Sequence, residues 1–94
     1  MASNGRRAGP SATAVVRRAK QQLEELTGRP AEAVLGFERS DGGWQVKLEV
    51  LELHRVPETM DVMGCYEVEL DDHCRLVRAE RTSRYHRSQG ADGR

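Results

Sequence analysis

Residues 44–50, Trp44-Gln45-Val46-Lys47-Leu48-Glu49-Val50, alternate apolar and polar side chains without a break. Successive side chains of a strand point to opposite faces. The run therefore predicts an antiparallel strand with Trp44, Val46, Leu48 and Val50 against a core and Gln45, Lys47 and Glu49 in water. A sheet with one wet face needs a cover on the other, and a chain of 94 residues has room for one domain in which to supply it.

The cover is expected upstream. Ala12, Val15, Val16, Ala19, Leu23 and Leu26 recur at spacings of three and four, which places them on one stripe of a helix. Arg17, Arg18, Lys20, Gln21, Gln22 and Glu24 take the other side. Thr27-Gly28 offers a left-handed cap and Pro30 cannot continue the helix, so it is placed at about 11–27.

Strands fill the rest. Ala33 to Arg39 reads as a short strand that turns at Ser40-Asp41-Gly42-Gly43 into the alternating run. A third strand spans about 61–70, with Val62, Tyr66, Val68 and Leu70 on one face and Glu67 and Glu69 on the other. Asp71-Asp72-His73-Cys74 is a turn, and a fourth strand follows from Arg75 to about Tyr85. A four-residue loop there sets Val68 opposite Val77 and Glu67 opposite Arg78, pairing apolar with apolar and acid with base. The expected fold class is α+β, an N-terminal amphipathic helix packed on a four-stranded antiparallel meander sheet. Composition limits this domain to 11–87: residues 1–10 and 88–94 hold too little to bury to offset ordering entropy, and are expected to be disordered arms.

Function classes narrow by exclusion. The chain carries 15 basic and 15 acidic residues, so no overall charge draws it to nucleic acid or an anionic membrane. It has no apolar run long enough to span a bilayer and no signal-peptide core, so a cytoplasmic protein with Cys65 and Cys74 as thiols is expected. His54, Cys65, His73, Cys74 and His86 lack the spacing of a metal site. No nucleophile elbow, P-loop or dinucleotide fingerprint occurs, and Glu67 and Glu69 read as a solvated strand face, so neither an enzyme nor a cofactor is expected.

Two features are left as binding candidates. After Val50 the alternation flips phase: Leu51 and Leu53 are apolar where Glu52 and His54 are polar. Either a bulge returns both leucines to the core, or they face away from the helix. In the second case Leu51, Leu53, Val56, Met60 and Met63 form surplus apolar surface suited to a protein partner, the rival being a second small core beneath the 56–60 loop. The other feature is a comb of arginines at every third position, Arg75, Arg78, Arg81, Arg84 and Arg87. It could bind RNA, DNA or an acidic protein, but ion pairing with the acidic third strand and protection of a sheet edge is the favoured reading.

Taken together, Gly28-Arg29-Pro30, Trp44 opening its strand, Glu-Leu-His-Arg-Val-Pro at 52–57, Asp61, Tyr-Glu-Val-Glu-Leu-Asp at 66–71 and the closing Arg84-Tyr85 resemble the GvpO family of gas vesicle proteins. The likeness covers nearly all of the chain outside the arms. It implies a non-enzymatic minor component or assembly factor of the gas vesicle, working beside the small hydrophobic shell protein and the ATPase GvpN. A regulatory role in transcription or RNA stability of the vesicle genes is the alternative, and a homo-oligomer is compatible with either. Cys74 departs from the pattern, which leads one to expect glycine after the acidic turn.

Overall fold

The computed structural model describes residues 10–90. The arms expected at 1–10 and 88–94 thus fall largely outside the described residues. Helix α1 spans Ala12–Thr27, and four strands follow: β1 (Ala31–Ser40), β2 (Gly43–Leu53), β3 (Val62–Asp71) and β4 (Leu76–His86). They form one antiparallel sheet in the order β1-β2-β3-β4. This is the expected α+β meander. Single 3-10 turns occupy Glu58–Met60 and Arg87–Gln89, so Ser88 and Gln89, assigned to the tail on composition, continue the fold by one turn.

Each end of α1 is capped by local chemistry. The Ser11 hydroxyl accepts the Ala14 N–H at 3.1 Å, and Gly28, at φ 73°, donates its N–H to the Glu24 carbonyl at 2.8 Å. Val15, Ala19 and Leu23 are completely buried, while Ala12 and Leu26 at the stripe's margins stay exposed. Opposite them lie Ala31, Val46, Leu48, Val50, Val68, Leu70 and Cys74, with Trp44, Tyr66, Leu76 and Ala79 packed around the rim. Full burial stabilises each Val or Leu by about 1.5–3 kcal/mol, so this interface holds the domain together. The Gln22 amide also anchors the helix, donating to the Cys74 carbonyl and accepting from the Leu76 N–H, both at 2.8 Å.

The β3–β4 register differs from the expectation. Val68 lies opposite Ala79, not Val77, and Glu67 opposite Glu80, not Arg78. The turn is shorter than four residues, because the Asp71 N–H bonds back to the Arg75 carbonyl and its carboxylate accepts the N–H groups of His73 and Arg75. Val77 is then an extra residue between the Glu69–Arg78 and Leu70–Leu76 pairs, and the two shifts add up. Cys74 sits at φ 62°, a left-handed conformation in which a side chain is strained, so glycine would be at ease there.

The far face carries a second small core of Met63, Cys65 and Tyr85 with Leu51 packed against it. The phase flip after Val50 is indeed a bulge, with Glu52 the extra residue between the Leu51–Met63 and Leu53–Val62 pairs. It separates the two leucines. Leu51 faces away from the helix but is partly covered, whereas Leu53 rotates to the helix side beyond the reach of α1 and stays exposed. Cys65 and Cys74, both free and buried, belong to different cores on opposite faces.

Candidate interaction surfaces

The loop between β2 and β3 turns around one carboxylate. Asp61 is 1% exposed, and its Oδ1 accepts the Arg55 N–H at 2.6 Å and lies 3.1 Å from His54 Nδ1. Its Oδ2 accepts from Arg87 Nε and Nη2 at 3.2 and 3.0 Å, and its carbonyl accepts the Arg87 N–H. The Arg55 N–H above all, then the Arg87 guanidinium and His54, hold this carboxyl below the usual carboxylate range against the opposing effect of burial. Arg87 also reaches Glu32 on β1 at 3.1 Å, so one guanidinium after the last strand ties the loop to the opposite edge of the sheet.

This loop displays apolar side chains among the exposed His54, Arg55, Glu58 and Thr59. Val56 is 92% exposed, and Leu53 and Met60 are exposed as well. Of the five residues expected on a partner surface, the structure gathers these three on one pinned segment. Met63 is fully buried and the half-buried Leu51 packs against it, so these two belong to the second core.

The arginine comb is distributed by bulges. A regular strand would set Arg81 and Arg84 on opposite faces, but Thr82 is an extra residue between the Cys65–Ser83 and Tyr66–Arg81 pairs, so both share the helix-side face. There they meet Glu52, whose side chain is 3% exposed, at 3.0 and 3.2 Å, and the Tyr66 hydroxyl donates to the same carboxylate at 2.8 Å. Burial, then the Glu52 charge, raises the Tyr66 pKa. Gly64 makes this possible, since a Cβ there would collide with the Glu52 carboxylate. The remaining teeth also have carboxylate partners: Arg75 with Asp71 at 3.6 Å, Arg78 with Glu80 at 2.7 Å, and Arg87 with Asp61 and Glu32.

Asp61, Glu52 and Gly64 escaped the reading of the residues as functional positions. A glycine inside a strand was the one available sign, since it often marks a close approach of another group. Among the described residues no cluster of three His, Cys, Asp or Glu side chains could hold a metal ion, and no helix is long and apolar enough to cross a membrane. Each histidine has its own partner: His54 faces Asp61, His73 faces Asp72, and His86 Nδ1 faces the Met60 carbonyl.

The family model described as gas vesicle synthesis protein GvpO matches residues 1–91. Gas vesicle protein O of a Streptomyces strain is 51% identical over 80 residues, which is 85% of this chain and 62% of that protein. Gas vesicle protein O1 of Halobacterium salinarum is 34% identical over 70 residues, 74% of this chain and 59% of the relative. Gas vesicle protein O of Haloferax mediterranei is 34% identical over 71 residues, 74% of this chain and 51% of the relative. The chain therefore spans about half to three fifths of the length of these relatives. No solved structure matches it. With the family pattern followed along almost its whole length and relatives in both actinobacterial and haloarchaeal sources, the chain belongs to the GvpO family of gas vesicle synthesis proteins.

Proposed function

We propose that the chain serves gas vesicle formation as a non-enzymatic binding component that contacts shell or assembly proteins, the ATPase GvpN among the candidates, through the loop bearing Leu53, Val56 and Met60. The observation that carries this reading is Val56, almost wholly exposed on a segment held in place by the buried Asp61. An apolar side chain on a pre-ordered loop loses little entropy on binding, so most of its buried area contributes to affinity. The arginine comb supports the nucleic-acid alternative less well, because all five guanidiniums have carboxylate partners.

The test is Val56→Ser combined with Met60→Ser in cells that form gas vesicles. Normal melting of the purified variant, with lost co-purification of vesicle proteins and fewer vesicles, is the expected result. Unimpaired capture and vesicle formation by the folded variant would sink the proposal.

A further inference from the structure

Along the arginine comb as a whole carboxylates balance guanidiniums, but they are not shared evenly. Arg75 has Asp71, Arg78 has Glu80, and Arg87 has both Asp61 and Glu32. Arg81 and Arg84 have only Glu52 between them. One negative charge thus holds two positive ones, and the two signs are not equally accessible. The Glu52 side chain is 3% exposed, whereas those of Arg81 and Arg84 are 46% and 54% exposed. What the pair shows to solvent is cationic.

The pair is also fixed in place. Arg81 contacts the carboxylate through Nη1 and Arg84 through Nε, and the Tyr66 hydroxyl donates to the same carboxylate. Among the described residues, Arg81 Nη2 and both terminal nitrogens of Arg84 have no hydrogen-bond partner. A guanidinium carries more N–H donors than Glu52 occupies here, so each arginine keeps some for a ligand. An anchored guanidinium loses little freedom when it grips a second carboxylate with parallel N–H bonds.

Apolar surface adjoins this clamp. Arg84 lies opposite Gly64, and two residues back along β3 the exposed Leu53 lies opposite Val62, so the two rows share the helix-side face about 7 Å apart. A shallow depression lined by Val62, Arg84, Tyr85, His86 and Gln89 adjoins both. We propose that Arg81, Arg84 and Leu53 form one docking site for an acidic segment of a protein partner, whose carboxylate seats across the two guanidiniums while an apolar neighbour covers Leu53. The site deepens the reading of the 53–60 loop and rests on it for its apolar half. Charge complementarity selects the occupant. A nucleic-acid strand needs cations spaced along its backbone, but Arg78 and Arg87 on either side are held by carboxylates of their own, and phosphates would leave Leu53 uncovered.

Side-chain NMR of the full wild-type chain tests this, with two capped peptides as probes, one alternating leucine and glutamate and the other leucine and glutamine. The glutamate peptide should move the Arg81 and Arg84 Nε–H signals and the Leu53 methyl signals together, and bind about tenfold tighter than the glutamine peptide. Arg84→Gln, once melting shows it folded, should lose a similar factor, and Leu53→Ser should weaken binding as well. Arginine signals unmoved by millimolar glutamate peptide, or equal binding of the two peptides, overturn the proposal without recourse to any variant. So does a folded Arg84→Gln that binds like the wild type. An oligouridylate that moves the same signals at lower concentration than the glutamate peptide overturns the choice of occupant. The loop reading fails separately. Lost vesicle-protein capture by Val56→Ser with Met60→Ser, beside a wild type indifferent to the glutamate peptide, keeps the loop and removes this site. Unimpaired capture by that variant, beside peptide binding at the arginines, removes the loop and supports the site.

Discussion

Asp61 shows how one buried side chain can organise a surface. Its carboxylate serves the Arg55 N–H, His54 and Arg87 at once, so Asp61→Asn removes the charge that draws the guanidinium in. A lower melting temperature and faster amide exchange across 54–60 are expected. The pH dependence has a definite sign. A carboxyl whose folded pKa is depressed stabilises the fold above the unfolded value, near pH 4, and that contribution is lost as pH falls through the folded pKa. The Asn variant should therefore show a shallower acid limb in its melting profile, though not a flat one, because the Arg75 N–H above all holds Asp71 low in the same way. An acid limb identical to the wild type would refute the assignment. Leu51 and Leu53 give a second contrast at this scale. Leu51→Ser exposes the Met63–Cys65–Tyr85 core and should cost about 2–4 kcal/mol in urea unfolding, whereas Leu53→Ser should cost under about 1 kcal/mol.

At the level of elements, bulges decide which face each side chain reaches. Glu52 in β2 and Thr82 in β4 are each an extra residue against β3, and together they bring Glu52, Arg81 and Arg84 to one place. Deleting Thr82 leaves Arg81 and Arg84 two positions apart, so a regular strand keeps both on the helix-side face and Tyr85 on the other. Tyr85 then keeps its hydrogen bond to Glu49 Oε2 at 2.6 Å, and Glu52 keeps both arginines. The expected outcome is a stability close to that of Thr82→Ala, since both variants lose the hydrogen bond from the Thr82 hydroxyl to the Cys65 carbonyl, read by denaturant unfolding of both. A deletion variant several kcal/mol less stable than Thr82→Ala would mean that the strand depends on the added twist of the bulge.

For the whole molecule, the distribution of charge matters more than its sum. The basic comb and its carboxylates cancel locally, so any RNA binding should show a shallow dependence on the logarithm of salt concentration, well under the slope of about one per phosphate contact that five free arginines would give. A filter-binding salt titration measures this directly, and a slope near five would reinstate a nucleic-acid surface. Exposed apolar side chains gather in two places, Leu53, Val56 and Met60 around the β2–β3 loop and Val34, Leu35 and Phe37 on β1.

The amphipathic stripe ending at Gly28, the alternation of 44–50, the strand patterns on either side of it and the turns at 40–43 and 71–74 were enough to determine one helix on a four-stranded meander, because all depend on local periodicity, capping and turn chemistry that need no knowledge of distant residues. The family, too, was legible from residues 28–87. The β3–β4 register was not, since a turn shortened by Asp71 and an extra Val77 shift it while leaving the apolar pattern plausible in either frame. Nor could the sequence decide between interface and second core for Leu51 and Met63. Burial on the far face depends on Tyr85 crossing from β4 toward Glu49, a contact between residues 36 apart in the chain. Asp61 and Arg87, 26 residues apart, meet for the same reason: side chains distant in sequence become neighbours only once the sheet has fixed where each strand ends.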